Sequence, residues 1–228
     1  MPVWCTDESI STLKNPIYDK SLFEADYADN RDWNFYRYNL AKCIEKGRPG
    51  TILDLGAGLC HFAECCEKFG IPCIAAEGSR YGLSQARLRS PRLRLVCCDL
   101  RANLPFNDAT FATIVCNQVI EHLSPGHANH LLVEAHRVLQ SDGVLFVYTP
   151  SKYNWVERKK EHHINLLTPK QMEALLRAAG FSNLERLNFP YPYLGVSGFG
   201  RLVMAGIFKL MPLDFLSSSA NFIVRKRG

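Results

Sequence analysis

Thr51-Ile52-Leu53-Asp54-Leu55-Gly56-Ala57-Gly58 decides how the rest of this sequence is read. A short run of strand character, Thr51–Leu55, follows the turn signal Arg48-Pro49-Gly50 and ends in two glycines one residue apart. A strand that gives way at once to a helix needs glycine wherever a Cβ would block the backbone angles or a close approach. The helix expected from about Leu59 to Phe69, closed by Gly70 and Pro72, presents unpaired N–H groups and a positive dipole end to anything bound at the turn. A ligand is therefore expected at this edge. The turn alone does not say which, because several nucleotide-binding folds use one.

Working outward, short β-rich runs alternate with longer helical ones. Strands are expected at Cys73–Glu77, Leu93–Cys98, Phe111–Cys116 and Val144–Tyr148, with a helix around Tyr81–Leu88 between the first two. Ser124-Pro125 supplies an N-cap and a first-turn proline for a helix reaching Leu139, and Thr168-Pro169 starts another that ends at Ala179-Gly180. Two last strands, Asn183–Asn188 and Ala220–Arg225, are far enough apart for an antiparallel pair with a long excursion between them. The pattern predicts an α/β fold: a mostly parallel seven-stranded sheet covered by helices. The chain reads as a single domain over 1–228, with a core at 50–188 and a last strand in 220–228. An aromatic, helical lid precedes the core at 1–49, and an insertion occupies 189–219. Lid and insertion are either acceptor-binding elements or ordinary packing.

Composition narrows the class without naming it. The chain has 228 residues, 47% of them apolar and 21% charged, which excludes disordered and fibrous classes. Its longest stretch free of charged residues, Leu187 to Gly200, is too short for a membrane span and holds Pro190 and Pro192. No basic region followed by an apolar run opens the sequence, so a cytoplasmic protein is expected. Nine cysteines, an odd number without any C-x-x-C spacing, suit reduced core thiols better than disulfides or a zinc site.

Two further acids mark the ligand edge. Glu77 ends the strand after the glycine turn, where a carboxylate hydrogen-bonds a ribose diol in nucleoside-binding sheets. Asp99, followed by Leu100, ends the next one, where the base would lie.

At these landmarks the chain resembles the class I S-adenosylmethionine-dependent methyltransferases, in the branch that includes ubiquinone, menaquinone and small-molecule O-methyltransferases. The resemblance runs from about Gly50 to Phe181. It rests on ILDLGAG (Ile52–Gly58), AAEGS (Ala75–Ser79), CCDLRANLPFNDATF (Cys97–Phe111), VCNQVIEHL (Val115–Leu123), HRVLQSDG (His136–Gly143) and HHINLLTPKQMEALLRAAGF (His162–Phe181). It implies a Rossmann-like sheet of order 3-2-1-4-5-7-6, last strand antiparallel, with helices on both faces. It also implies S-adenosyl-L-methionine as cofactor and S-adenosyl-L-homocysteine as product. Asp54, Gly56, Ala57 and Gly58 would hold the methionine part, Glu77 the ribose, and Asp99 with Leu100 the adenine, while Asn117 and Gln118 would lie beside the sulfonium. Three departures stand out. Ala112 replaces the acidic residue that usually follows the Phe of the fourth strand. Cys60 replaces the third glycine of the usual turn. The E-x-x-E-H metal motif of ubiquinone O-methyltransferases is here Gln118-Val119-Ile120-Glu121-His122, so no metal is assigned.

Transfer to a hydroxyl oxygen needs a base, and imidazole titrates near neutral pH. The candidates are His163 and His122, with Glu121 able to orient either; the alternative is that these residues cap or brace loops. His127, His130 and His136 fall along one helix and read as surface residues. The expected acceptor is a small molecule or a lipid- or glycan-linked, amphiphilic compound. The apolar stretch 202–216 would touch a membrane peripherally, form a lid or make a dimer contact. Six arginines between Arg80 and Arg101 raise RNA as another acceptor, but they belong to the adenine side of the sheet, so nucleic acid is disfavoured. A non-catalytic module that only binds the cofactor is the remaining alternative.

Overall fold

The computed structural model describes residues 33–187, 214 and 217–227. Helix α1 (Trp33–Lys46) precedes β1 (Ile52–Leu55), α2 (His61–Lys68), β2 (Cys73–Glu77), α3 (Arg80–Arg89) and β3 (Arg94–Cys97). Then follow β4 (Phe111–Asn117), a 3-10 turn (Ile120–His122), α4 (Pro125–Val138), β5 (Leu139–Tyr148), a second 3-10 turn (Glu157–Lys159), α5 (Pro169–Ala178), β6 (Phe181–Leu187) and β7 (Asn221–Lys226). The seven strands form one sheet in the order β3-β2-β1-β4-β5-β7-β6. Strands β1 to β5 pair in parallel, and β7 runs antiparallel to both β5 and β6. The expected order and strand count are those observed.

The period of two along the central strands explains why both faces carry helices. Leu53 and Leu55 of β1, Ile114 and Cys116 of β4, Leu145 and Val147 of β5, and Phe222 and Val224 of β7 pack with Leu131 and Leu132 of α4 and Met172 and Leu176 of α5. The intervening residues Ile52, Val115, Val144, Phe146, Tyr148 and Ile223 face the other way, onto Tyr36, Leu40 and Cys43 of α1 and Phe62, Cys65 and Cys66 of α2. With both faces covered, the strands read as nearly continuous apolar runs, as parallel sheets require.

Local chemistry sets the helix starts. Ser124 caps α4 by accepting from the His127 N–H, with Pro125 in the first turn. Thr168 and Gln171 form a reciprocal capping box at α5. One expectation is corrected: β5 begins at Leu139, not Val144, because Ser141-Asp142-Gly143 stays within the strand, with Asp142 in the left-handed region at φ 58°. All eight described cysteines are free thiols, six of them buried. No helix among the described residues is long and apolar enough to cross a membrane. The expected membrane contact at 202–216 lies outside the described residues except for Asp214, which pairs with Arg186.

Candidate active site

The strand ends bring the predicted cofactor residues to one edge. After β1 the chain turns through Gly56 and Gly58, both at positive φ (77° and 55°), and a Cβ on Gly56 would run into Val119 Cγ2 and touch Leu100. Gly56 N–H and Ala57 N–H donate back to the Ala76 carbonyl, which ties the turn to β2. Cys60, where the resemblance expects glycine, adopts the left-handed region itself (φ 61°) as the N-cap of α2, fully buried, its side chain making no cap hydrogen bond. That conformation costs a non-glycine residue about 1–2 kcal/mol, which explains why glycine is usual there.

Glu77 is buried and accepts from two backbone donors, Gly58 N–H at 2.8 Å and Ser79 N–H at 2.7 Å. Its desolvation raises the pKa, and these N–H donors oppose the rise. Asp54 shares its environment. Burial first, and the nearby Glu77 charge second, push the Asp54 carboxyl up to about 7. Asp54 Oδ2 is buried without a hydrogen-bond partner and lines a narrow cavity with Tyr36, Asn39, Gly56, Gly58, His61 and Asn117. A buried carboxylate oxygen without a partner is costly in a finished protein, so a donor from a ligand belongs there. The ammonium of an amino-acid moiety suits it, and the remaining lone pairs of Glu77 suit a sugar diol. S-adenosylmethionine fits this set.

Asp99 is further out and already engaged: Arg101 binds it at 2.7 Å and holds its carboxyl below the usual range. Asn117, at the end of β4, lines both the narrow cavity and a larger one. Gln118 follows in a left-handed conformation (φ 58°), its N–H held by the Tyr148 carbonyl. Strained backbone of this kind collects at functional sites.

The larger cavity, of about 670 Å³, lies beyond Asn117 and Gln118, within the size range of small-molecule sites. Its walls include Phe35 and Tyr38 of α1, Tyr148 and Pro150 at the end of β5, Asn154 and Glu157. The predicted bases stand behind it. His122 and His163 are not among the residues lining either cavity. His163 Nδ1 lies 3.3 Å from the Glu157 carboxylate and 3.1 Å from the Glu157 carbonyl, and desolvation lowers its pKa. His122 Nδ1 meets the His162 carbonyl at 3.2 Å, and burial lowers its pKa to about 4. Glu121 is fully buried, accepts from Thr149 Oγ1 at 2.9 Å and is pushed up to about 8, chiefly by desolvation. The groups seen to orient the two rings are thus Glu157 and the His162 carbonyl, while the carboxyl of Glu121 braces the end of β5. Of the predicted surface histidines, His127 is exposed, whereas His130 and His136 are partly covered, and His136 meets the Phe181 ring edge-on.

Glu157, Asn39 and His61 escaped the sequence reading, and Tyr36, expected only as one aromatic of the lid at 1–49, lines the narrow cavity. Glu157 sits in the charged run Glu157-Arg158-Lys159-Lys160-Glu161, which reads as a solvated loop. The aromatics flanking Asn39 were the signal for the other end of the site.

Residues 53–147 match the family model described as a methyltransferase domain. A probable S-adenosylmethionine-dependent methyltransferase of Mycobacterium tuberculosis is 29% identical over 134 residues, 57% of this chain and 48% of that protein. The chain thus spans about half the length of that curated relative. A crystal structure of an S-adenosylmethionine-dependent methyltransferase from Archaeoglobus fulgidus superposes with a TM-score of 0.67 at 17% identity, covering 91% of this chain and all of that one. So does phosphoethanolamine N-methyltransferase 2 of Haemonchus contortus, solved with phosphomonomethylethanolamine and S-adenosylhomocysteine, at TM-score 0.67 and 16% identity, covering 91% and 57%. The segment carrying the glycine turn and the strand-end acids is thus the one that matches the methyltransferase-domain model, and the sheet around it has the fold of these solved methyltransferases.

Proposed function

We propose that this protein is a methyltransferase that uses S-adenosylmethionine to methylate a hydroxyl oxygen of a small, amphiphilic acceptor, lipid- or glycan-linked or otherwise. The observation that carries the reading is the junction at Asn117: the cavity holding the orphaned Asp54 oxygen and the larger cavity meet there. A cofactor anchored by Asp54 and Glu77 then ends beside a space of acceptor size. The cofactor, when bound, supplies a methyl group on an already activated leaving group. The residues have three tasks left: to align the nucleophile, exclude water and remove its proton. Phe35, Tyr38 and Tyr148 provide apolar wall, and Asn117 and Asn154 provide orientation. The Glu157 carboxylate, held at 3.3 Å by His163 Nδ1 and at 3.2 Å by Lys160 Nζ, is the acceptor-side group suited to take the proton, with His163 and His122 behind it.

Pairing of the arginines supports a small-molecule acceptor over RNA. Arg89 binds Glu64, Arg92 reaches Glu67 and Arg101 binds Asp99, so this stretch carries less free positive charge than its composition suggests. A cytoplasmic location, with the apolar 202–216 segment resting on a membrane, accords with an amphiphilic acceptor; flotation with vesicles, with and without that segment, tests it.

The experiment is a panel of phenolic, quinol, glycan and polyprenyl acceptors with S-adenosylhomocysteine release as readout. Turnover on one class is expected, and His163→Ala should lower it strongly while cofactor affinity holds. Tight cofactor binding without turnover on any acceptor would point to a binding module instead, and turnover confined to RNA would overturn the acceptor class.

A further inference from the structure

Three imidazoles gather beside the larger cavity: His122 in the turn after β4, and His162 and His163 in the loop between β5 and α5. One ligating nitrogen from each lies within 4.8 Å of the others, and the ring centroids are 4.7–5.2 Å apart. Their protons are placed by their neighbours. A carbonyl oxygen only accepts, so the contacts of His122 Nδ1 with the His162 carbonyl and of His163 Nδ1 with the Glu157 carbonyl put the proton on Nδ1 in both rings. Metal-bound histidines are arranged this way, with one ring nitrogen anchored to a carbonyl or carboxylate and the other on the ion.

The carboxyl of Glu121, next in sequence to His122, bonds Thr149 and stands outside the set. Lys160, whose charge opposes a cation here, has its ammonium 3.2 Å from Glu157 Oε2, which offsets it. Imidazole donors suit zinc and its first-row neighbours, whereas magnesium and calcium take oxygen ligands.

We propose that His122, His162 and His163 form a three-histidine site for a divalent transition metal, zinc by preference, that staples the turn after β4 to the loop between β5 and α5. Bonds of 2.0–2.1 Å at tetrahedral angles set nitrogens about 3.3 Å apart, so the rings close in by roughly 1 Å on binding, leaving a fourth position for water. The inference concerns binding alone and does not depend on which acceptor is methylated.

The test uses the tag-free full chain, stripped with chelator and titrated with cobalt(II) and then zinc(II). One equivalent of cobalt with the visible absorption of a four-coordinate ion, displaced by zinc, is expected, together with a zinc-dependent rise in Tm. His162→Gln and His163→Gln should each weaken zinc binding by about 10-fold or more, and His130→Gln, on α4 away from the cluster, should leave it unchanged. Cofactor titration of each variant verifies that the fold persists. Affinity in His162→Gln and His163→Gln equal to the unsubstituted chain, or no stoichiometric binding, would overturn the site, including the case of adventitious metal held elsewhere.

Discussion

Asp54→Asn should make the protein without cofactor more stable and its cofactor binding weaker. The buried carboxyl is raised from its ordinary value of 3.8 to about 7. At 1.36 kcal/mol per unit this is roughly 4 kcal/mol of native-state penalty once the group is ionised. Because the folded pKa lies above the unfolded one, the native state binds the proton more tightly between about pH 4 and 7. Stability from this group is therefore greatest at the acid end of that window and falls as pH rises through it. An amide cannot ionise. The gain from Asp54→Asn should be about 4 kcal/mol at pH 8 and about 2 kcal/mol at pH 5.5, which is halfway up the window. Urea unfolding of the cofactor-free protein followed by circular dichroism reads it directly. With slopes of about 1–3 kcal/mol per molar, the midpoint should rise by more than about 1 M at pH 8 and by half as much at pH 5.5. The same substitution removes a charged acceptor at Oδ2, worth about 1.5–3 kcal/mol, so calorimetric cofactor affinity should fall by about 10-fold or more. A gain that is equal at the two pH values, or a loss of stability at both, would refute the claim that Asp54 is held in a costly ionised state for a ligand.

Three further outcomes are expected. Glu77→Gln, which turns one oxygen of a carboxylate serving Gly58 N–H and Ser79 N–H into a donor, should lower cofactor affinity by about 10–100-fold in a calorimetric titration. Gly56→Ala combines a left-handed φ with a collision at Val119 and should cost about 2–4 kcal/mol in unfolding free energy. Adding Val119→Ala should recover part of that cost, and strict additivity of the two changes would dispose of the collision. Arg137→Ala removes a guanidinium that binds Glu134, Asp108 and the carbonyls of Leu104 and Phe106. It should cost about 2 kcal/mol and speed limited proteolysis between Asp99 and Phe111.

Much of the sheet was legible because parallel strands buried on both faces must be written as apolar runs, and Ile52–Leu55, Phe111–Cys116 and Val144–Tyr148 are such runs. The glycine turn was legible because its left-handed angles leave few residue choices, and Cys60 shows what the exception looks like. The start of β5 was not, since Ser141-Asp142-Gly143 carries the composition of a turn although the pairing of Phe111 with Leu139 keeps it in the sheet. Glu157 was hidden for a related reason: its environment comes from tertiary contact with His163 and the larger cavity, and nothing in a charged loop announces that contact. Glu121 failed the other way. Sequence adjacency to His122 suggested a partnership, but consecutive residues in a tight turn point apart, and the Glu121 side chain turns inward to Thr149.

Helix α1 contributes Tyr36 and Asn39 to the narrow cavity and Phe35, Tyr38 and Asn39 to the larger one. On the proposed function, neighbouring residues of one helix would therefore answer to two ligands. Any free energy that one ligand gained by settling this helix would, by thermodynamic reciprocity, be returned to the other in equal measure. Affinity for cofactor or acceptor would then be a property of the pair, and a titration performed with only one of them present would measure half of a coupled equilibrium.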